Sequence, residues 1–211
     1  MRRVDIRRHF QYFWWCYLAI LIVAIVFWTS VYGIIEKPDA NEKLTLSYFG
    51  NSYDGAKLEL EIEKNITDIT SQNIREFSVD QINQTEDILL GSMIQTRLYS
   101  SDIMIFEEGV VTEEFVSMNF RPIINKLEAC FSNMDVEYYI IDGIKYGIIL
   151  NSPGQISNIF TKYYSGNSTL VAFFAPYCEN LGGIYGIGNN NDDAAIMLMR
   201  FLLEEVNDEK N

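Results

Sequence analysis

Residues 101–106 read Ser-Asp-Ile-Met-Ile-Phe. Four apolar residues in a row, behind a short polar lead and after a segment of helical period, predict a strand buried on both faces of a parallel sheet. The preceding segment, Thr85 to Tyr99, sets Ile88, Leu89, Met93, Ile94 and Leu98 on one side of a helix, with Thr85 or Asp87 as its cap. Further back, a polar strand is expected around Asn73 to Val79 and a helix over Ala56 to Asn65, with Leu58 and Ile62 on its apolar face. Lys43 to Phe49 alternates and is rich in strand formers, and Gly50 to Gly55 reads as a turn. The order is β-α-β-α-β, which predicts an α/β fold with a mixed, largely parallel sheet flanked by helices.

Downstream, Glu107 to Phe120 is acidic and partly helical, and Asn125 to Phe131 has room for another turn or two of helix. Tyr138 to Ile141 and Lys145 to Leu150 flank Asp142-Gly143, which between two β-branched and aromatic runs predicts a hairpin with a tight primed turn. Asn151 to Ile159 reads as loop or short helix, and Thr169 to Phe174 as another apolar strand. Asp192 to Val206 reads as an amphipathic helix capped by the Asn189 to Asp193 run.

The N-terminal part is of a different kind. Phe10 to Ile35 contains no charged residue; at about 1.5 Å per helical residue it reaches roughly 39 Å, more than a hydrocarbon core of about 30 Å. Trp14, Trp15 and Tyr17 near its start and Trp28 and Tyr32 near its end suit the two headgroup zones. The run is longer than a signal-peptide core and no small-x-small site follows it, so a retained single-pass anchor is expected. Arg2, Arg3, Arg7 and Arg8 against Asp5 place the N-terminus in the cytoplasm and the remainder outside the cell membrane. The expected divisions are a basic tail (1–9), a transmembrane helix (10–35), a tether (36–42), an extracellular α/β domain (43–206) and a short tail (207–211).

The chain carries a net charge of −13; removing the +3 of its first nine residues leaves −16 on the rest. Such a domain lacks the clustered Lys and Arg that phosphate neutralisation requires, so nucleic acid is not an expected partner. The only histidine is His9, on the basic tail, which excludes Ser-His and Cys-His nucleophile pairs and zinc ligation by histidine in the outer domain. Neither a metal nor a cofactor is expected. Glu107 with Glu108, and Glu113 with Glu114, are nominal glycosidase pairs, but adjacent acids of this kind read as solvated surface, and no catalytic residue is assigned. Gly182 to Gly188 lacks the Lys-Ser or Lys-Thr of a phosphate loop and the glycine spacing of a dinucleotide fingerprint. Asn189 to Asp193 lacks the spaced acids of a calcium loop. Cys130 and Cys178 are able to supply at most one disulfide.

In an open α/β sheet, ligands bind beyond the C-terminal ends of the strands. Tyr48, Phe49, Phe106 and Glu107 fall there, so they are the candidate ligand-binding residues: three rings to stack on a sugar or another flat surface, and a carboxylate to hydrogen-bond. The competing reading is that the rings are core.

Three stretches, Leu44-Thr-Leu-Ser-Tyr-Phe49, Ser101-Asp-Ile-Met-Ile-Phe106 and Ile141-Asp-Gly-Ile-Lys-Tyr-Gly-Ile-Ile149, occur in an order that resembles the extracellular solute-binding proteins of ABC importers, in the class that includes the sugar-binding group. Asn190 to Leu203 is similar to a late segment of that family. The resemblance implies one lobe of a periplasmic-binding-protein-like fold. A full member has two lobes, whereas about 20 residues separate the hairpin from the strand at Thr169, and a single lobe cannot close around a solute. The implied role is therefore a non-catalytic, membrane-anchored accessory or docking module. Its expected partners are the lipid bilayer and transporter permease subunits or another membrane protein; the alternative is direct binding of a carbohydrate or peptide at the strand ends.

Overall fold

The computed structural model describes residues 6–35, 42–69, 74–83, 87–151, 158–181 and 194–204. The chain divides into two units, residues 1–38 and 39–211. The first is helix α1 (Ile6–Ile35), of which Tyr12–Tyr32 is long and apolar enough to cross a membrane, with a mean hydropathy of 2.1.

The second unit is α/β. Its elements are β1 (Lys43–Phe49), α2 (Gly55–Ile69), β2 (Glu76–Ile82), α3 (Asp87–Leu98), β3 (Ile103–Glu107), α4 (Glu113–Asn119), α5 (Asn125–Ala129), β4 (Glu137–Ile141), β5 (Ile144–Ile149), β6 (Leu170–Phe174) and α6 (Ala194–Leu203). One six-stranded sheet runs in the order β2-β1-β3-β6-β5-β4. β1 pairs parallel to both β2 and β3, with Leu46 opposite Val79 on one side and Ile103 on the other. This is the β-α-β-α-β unit expected from the sequence.

The expectation of a largely parallel sheet needs correction. The other three pairings, β3 with β6, β6 with β5 and β5 with β4, are antiparallel. A parallel neighbour requires a crossover, usually a helix of a dozen residues or more. Between Ile149 and Leu170 the described residues hold only a 3-10 turn, Thr161–Tyr163, and Leu150 N–H donates straight across to Leu170 O at 2.9 Å. The hairpin forms as expected: Asp142 (φ 50°) and Gly143 (φ 80°) both take the left-handed conformation that a primed turn needs.

β1, β3 and β6 form the centre of the core, where Leu44, Leu46, Ile103, Met104, Ile105, Leu170 and Phe173 are buried. α2 covers β2 with Leu58 and Ile62, and α6 packs on α2 with Leu198 and Leu202 buried. The end of α6 is tied down by Phe160 N–H to Leu202 O (3.3 Å) and Ile159 N–H to Glu204 O (3.2 Å). The sequence stretches 182–193 and 205–211 lie outside the described residues, and with them the expected cap of this helix.

Asp102, just before β3, joins three parts of the sheet. Its carboxylate accepts the Thr45 N–H of β1 (2.8 Å), Asn180 Nδ2 (3.0 Å) and the Cys178 thiol (3.1 Å). Its backbone N–H donates to Thr45 O (2.8 Å), and its carbonyl accepts the Ala175 N–H beyond β6 (2.9 Å). Cys178 is therefore bonded to Asp102 rather than to Cys130, whose thiol donates to Lys126 O at 3.4 Å; no disulfide joins the two. Burial raises the carboxyl pKa of Asp102 above its ordinary value, against the opposing pull of the three donors.

A raised native pKa means that the folded state holds this proton more tightly than the unfolded chain does. The group's contribution to stability is thus complete below the unfolded value of about 4 and falls as pH rises to the native value. Asp102→Asn, which cannot titrate and keeps one acceptor oxygen, is expected to cost roughly 1–3 kcal/mol. Its deficit against the wild type should shrink as pH rises through that window, as measured by urea unfolding of the full-length chain at a series of pH values.

Candidate functional site

β1 ends at Phe49, and residues 50–54 turn the chain into α2. Glu107, the last residue of β3, folds back over this turn. Its carboxylate accepts the Tyr48 hydroxyl and the Asn51 N–H (3.2 Å). A Cβ at position 50 would meet both Glu107 Oε1 and the Tyr48 hydroxyl, so the side-chain contact requires Gly50.

The structure brings the four expected site residues together, but the rings face inward. Tyr48, Phe49 and Phe106 are fully buried, and Glu107 is half-buried. Phe49 stacks on Phe106 with centroids 4.6 Å apart, and Phe106 meets Phe120 and Phe173 edge-on. Burying each ring contributes about 1.5–3 kcal/mol, and no ring face remains for a ligand. The alternative reading of these aromatics, as core, is the one the geometry follows. Of the paired acids, Glu108, Glu113 and Glu114 are exposed. Glu113 and Glu114 occupy the first turn of α4 behind the Thr112 cap, where negative charge suits the helix's positive end.

The opening at these strand ends lies a few residues further on, in the turn itself. A shallow pocket of about 570 Å³ is bounded by Asn51, Tyr53, Lys57 and Gln81 on one side and by Lys162 and Tyr164 on the other. Its two walls are stitched by Asp54 N–H to Tyr163 O (3.2 Å) and Ser165 N–H to Ser52 O (2.9 Å). The carboxylate of Asp54 accepts the Lys57 N–H (3.3 Å), which caps the first turn of α2 at the pocket's edge.

Tyr53 is the informative residue. Its ring is sandwiched between Tyr48 (4.8 Å) and Phe160 (4.4 Å, stacked at 10°). Only 7% of the residue is exposed, and among the described residues no group bonds its hydroxyl. Burial drives the hydroxyls of both Tyr53 and Tyr48 well above the ordinary phenol range, so both remain protonated. An orphaned buried donor costs about 1–3 kcal/mol and is uncommon in a folded protein. The residue borders the pocket, and its hydroxyl oxygen is itself enclosed. The two lysines are each held by an acid, Lys57 by Asp54 (2.8 Å) and Lys162 by Glu61 (3.1 Å), so the pocket offers no uncompensated charge.

Sequence reasoning passed over Tyr53 because Gly50-Asn-Ser-Tyr-Asp-Gly55 reads as turn chemistry. The available signal was a large ring in the middle of a polar strand-to-helix turn. Among the described residues, no three His, Cys, Asp or Glu side chains converge as metal ligands. The glycine-rich run at 182–188 and the Asn-rich run at 189–193 lie outside the described residues. Comparison of the chain with protein-family models, curated proteins and solved structures finds no match.

Tyr53→Phe removes the orphaned hydroxyl and is expected to stabilise the free protein by about 1 kcal/mol. That corresponds to roughly 2–4 °C in the thermal midpoint for a domain of this size, read by differential scanning calorimetry. A midpoint that falls instead would show that the hydroxyl has a partner in the folded protein.

Proposed function

We propose that the chain is a non-catalytic binding domain held to the cell membrane by α1, with its basic N-terminus in the cytoplasm and the α/β domain outside. It is built as one lobe of a solute-binding-protein-like fold and acts as an accessory or docking module for an ABC transporter or another envelope protein. The observation that carries this reading is the open pocket at the C-terminal ends of a parallel β2-β1-β3 core, walled among the described residues only by the 50–54 turn, α2, β2 and residues 162–165. β5 ends at Ile149 and β6 begins at Leu170, which leaves too little chain for a second lobe. The two crossover helices and the packing of α6 back onto α2 also support it.

A second reading, direct capture of a carbohydrate or peptide, is favoured by the open pocket on the 50–54 turn, with Asn51, Tyr53 and Tyr164 in its lining. It places the ligand against Asn51, Tyr53 and Tyr164, in place of Tyr48, Phe49 and Phe106.

Affinity purification of the full-length chain from its native membrane in mild detergent is expected to bring transporter permease subunits with it. They should disappear when residues 43–211 are deleted. A protein that purifies alone, and whose Asn51→Ala variant loses affinity for an oligosaccharide or peptide probe, would instead support direct capture.

A further inference from the structure

A second cavity, of about 540 Å³, lies at the other end of the parallel strands. It begins with a polar stripe. Lys43, Thr45 and Ser47 share one face of β1, and the parallel register sets Glu76, Ser78 and Asp80 of β2 beside them. An alternating strand ordinarily turns such a stripe to water. Here Thr45 and Ser47 are buried, with Ser78 Oγ donating to Thr45 Oγ1 (3.3 Å) and the Ser47 and Ser101 hydroxyls 2.7 Å apart. Arg97 at the end of α3, Tyr99 after it, and Tyr177 beyond β6 form the outer wall.

The charges of this cavity are fixed in pairs. Lys43 Nζ lies 2.7 Å from Glu76 Oε1, and Arg97 Nη1 lies 2.6 Å from Asp80 Oδ2. What remains is a surface dense in donors and acceptors with no uncompensated cation. At its rim the Tyr99 and Tyr177 rings stack on one another, with centroids 4.4 Å apart and planes 12° from parallel. The two residues are nevertheless 66% and 53% exposed. Exposed parallel rings are not explained by burial, because each leaves apolar surface in water.

A pyranose has the complementary chemistry. Its C–H face lies on an aromatic ring, and its hydroxyls donate and accept at once, as ion-paired carboxylates, guanidinium groups and serine hydroxyls require. The net charge of −16 on the chain beyond α1 disfavours uronate-rich or phosphorylated chains. We propose that this cavity is a binding site for a neutral glycan, with Tyr99 and Tyr177 as the stacking platform and Asp80, Arg97, Ser78 and Ser100 as the hydrogen-bonding groups. The site is separate from the Tyr53 pocket and does not depend on the reading given to that pocket.

The test is calorimetric titration of the full-length chain, in a zwitterionic detergent free of sugar headgroups, with maltohexaose, cellohexaose and the hexamer of N-acetylglucosamine. At least one is expected to bind. Tyr99→Ala and Tyr177→Ala should each weaken it about tenfold or more, while the unfolding midpoint falls only slightly, by what loss of their mutual stack costs. Lys162→Ala, in the other pocket, should leave the affinity as it was. Failure of all three glycans to bind at millimolar concentration overturns the proposal. So does binding that is indifferent to both tyrosine substitutions, binding that is lost in Lys162→Ala, or saturable binding of trialanine where no glycan binds.

Discussion

The carboxylate of Asp102 sits where three chain segments distant in sequence must meet. Thr45 belongs to β1, Asp102 leads into β3, and Ala175, Cys178 and Asn180 follow β6. A buried carboxylate is costly unless its oxygens are satisfied, and these receive one backbone and two side-chain donors. The pin holds only when all three segments are in place. It therefore couples the parallel β1-β3 pair to the strand that arrives last, and β6 in turn aligns the β4-β5 hairpin. Asn180 extends the same pin by donating to Lys43 O at 2.8 Å, at the start of β1.

That coupling gives the two ends of the parallel strands different characters. At the C-terminal end, the Tyr48–Glu107 bond and the Phe49–Phe106 stack close the ends of β1 and β3 into core. The opening is displaced outward onto the 50–54 turn. At the N-terminal end, the pin draws Thr45, Ser47 and Ser101 inside while leaving Tyr99 and Tyr177 exposed at the rim of a polar cavity. Both recesses are open, and the lysine and arginine side chains that line them are ion-paired.

Much of this architecture is legible in the sequence. Lys43 to Phe49 forms β1 with the bounds its alternation predicts, and Asp142-Gly143 turns the hairpin, because both signals are local. The direction of β6 is not local. Thr169 to Phe174 has the apolar content of a buried strand in either orientation, and only the path of the preceding chain sets it antiparallel to β3. Tyr48, Phe49 and Phe106 lie at the strand ends and face the core, and a ring such as Phe106 has the same sequence signature whether it stacks on a ligand or on Phe49. The buried Thr45, Ser47 and Asp102 were the hardest to read, because polar alternation ordinarily reports a solvated face and their partners, Ser101 and Asn180, lie far along the chain.

Amide hydrogen exchange on the full-length chain tests most directly whether the pin makes these segments one unit. Thr45 N–H, Asp102 N–H and Ala175 N–H are all committed to it. They are predicted to exchange together, at the slow rate set by global unfolding. If Ala175 exchanges orders of magnitude faster than Thr45, the end of β6 opens while β1 and β3 remain paired, and Asp102 does not bind the three segments into a single cooperative sheet.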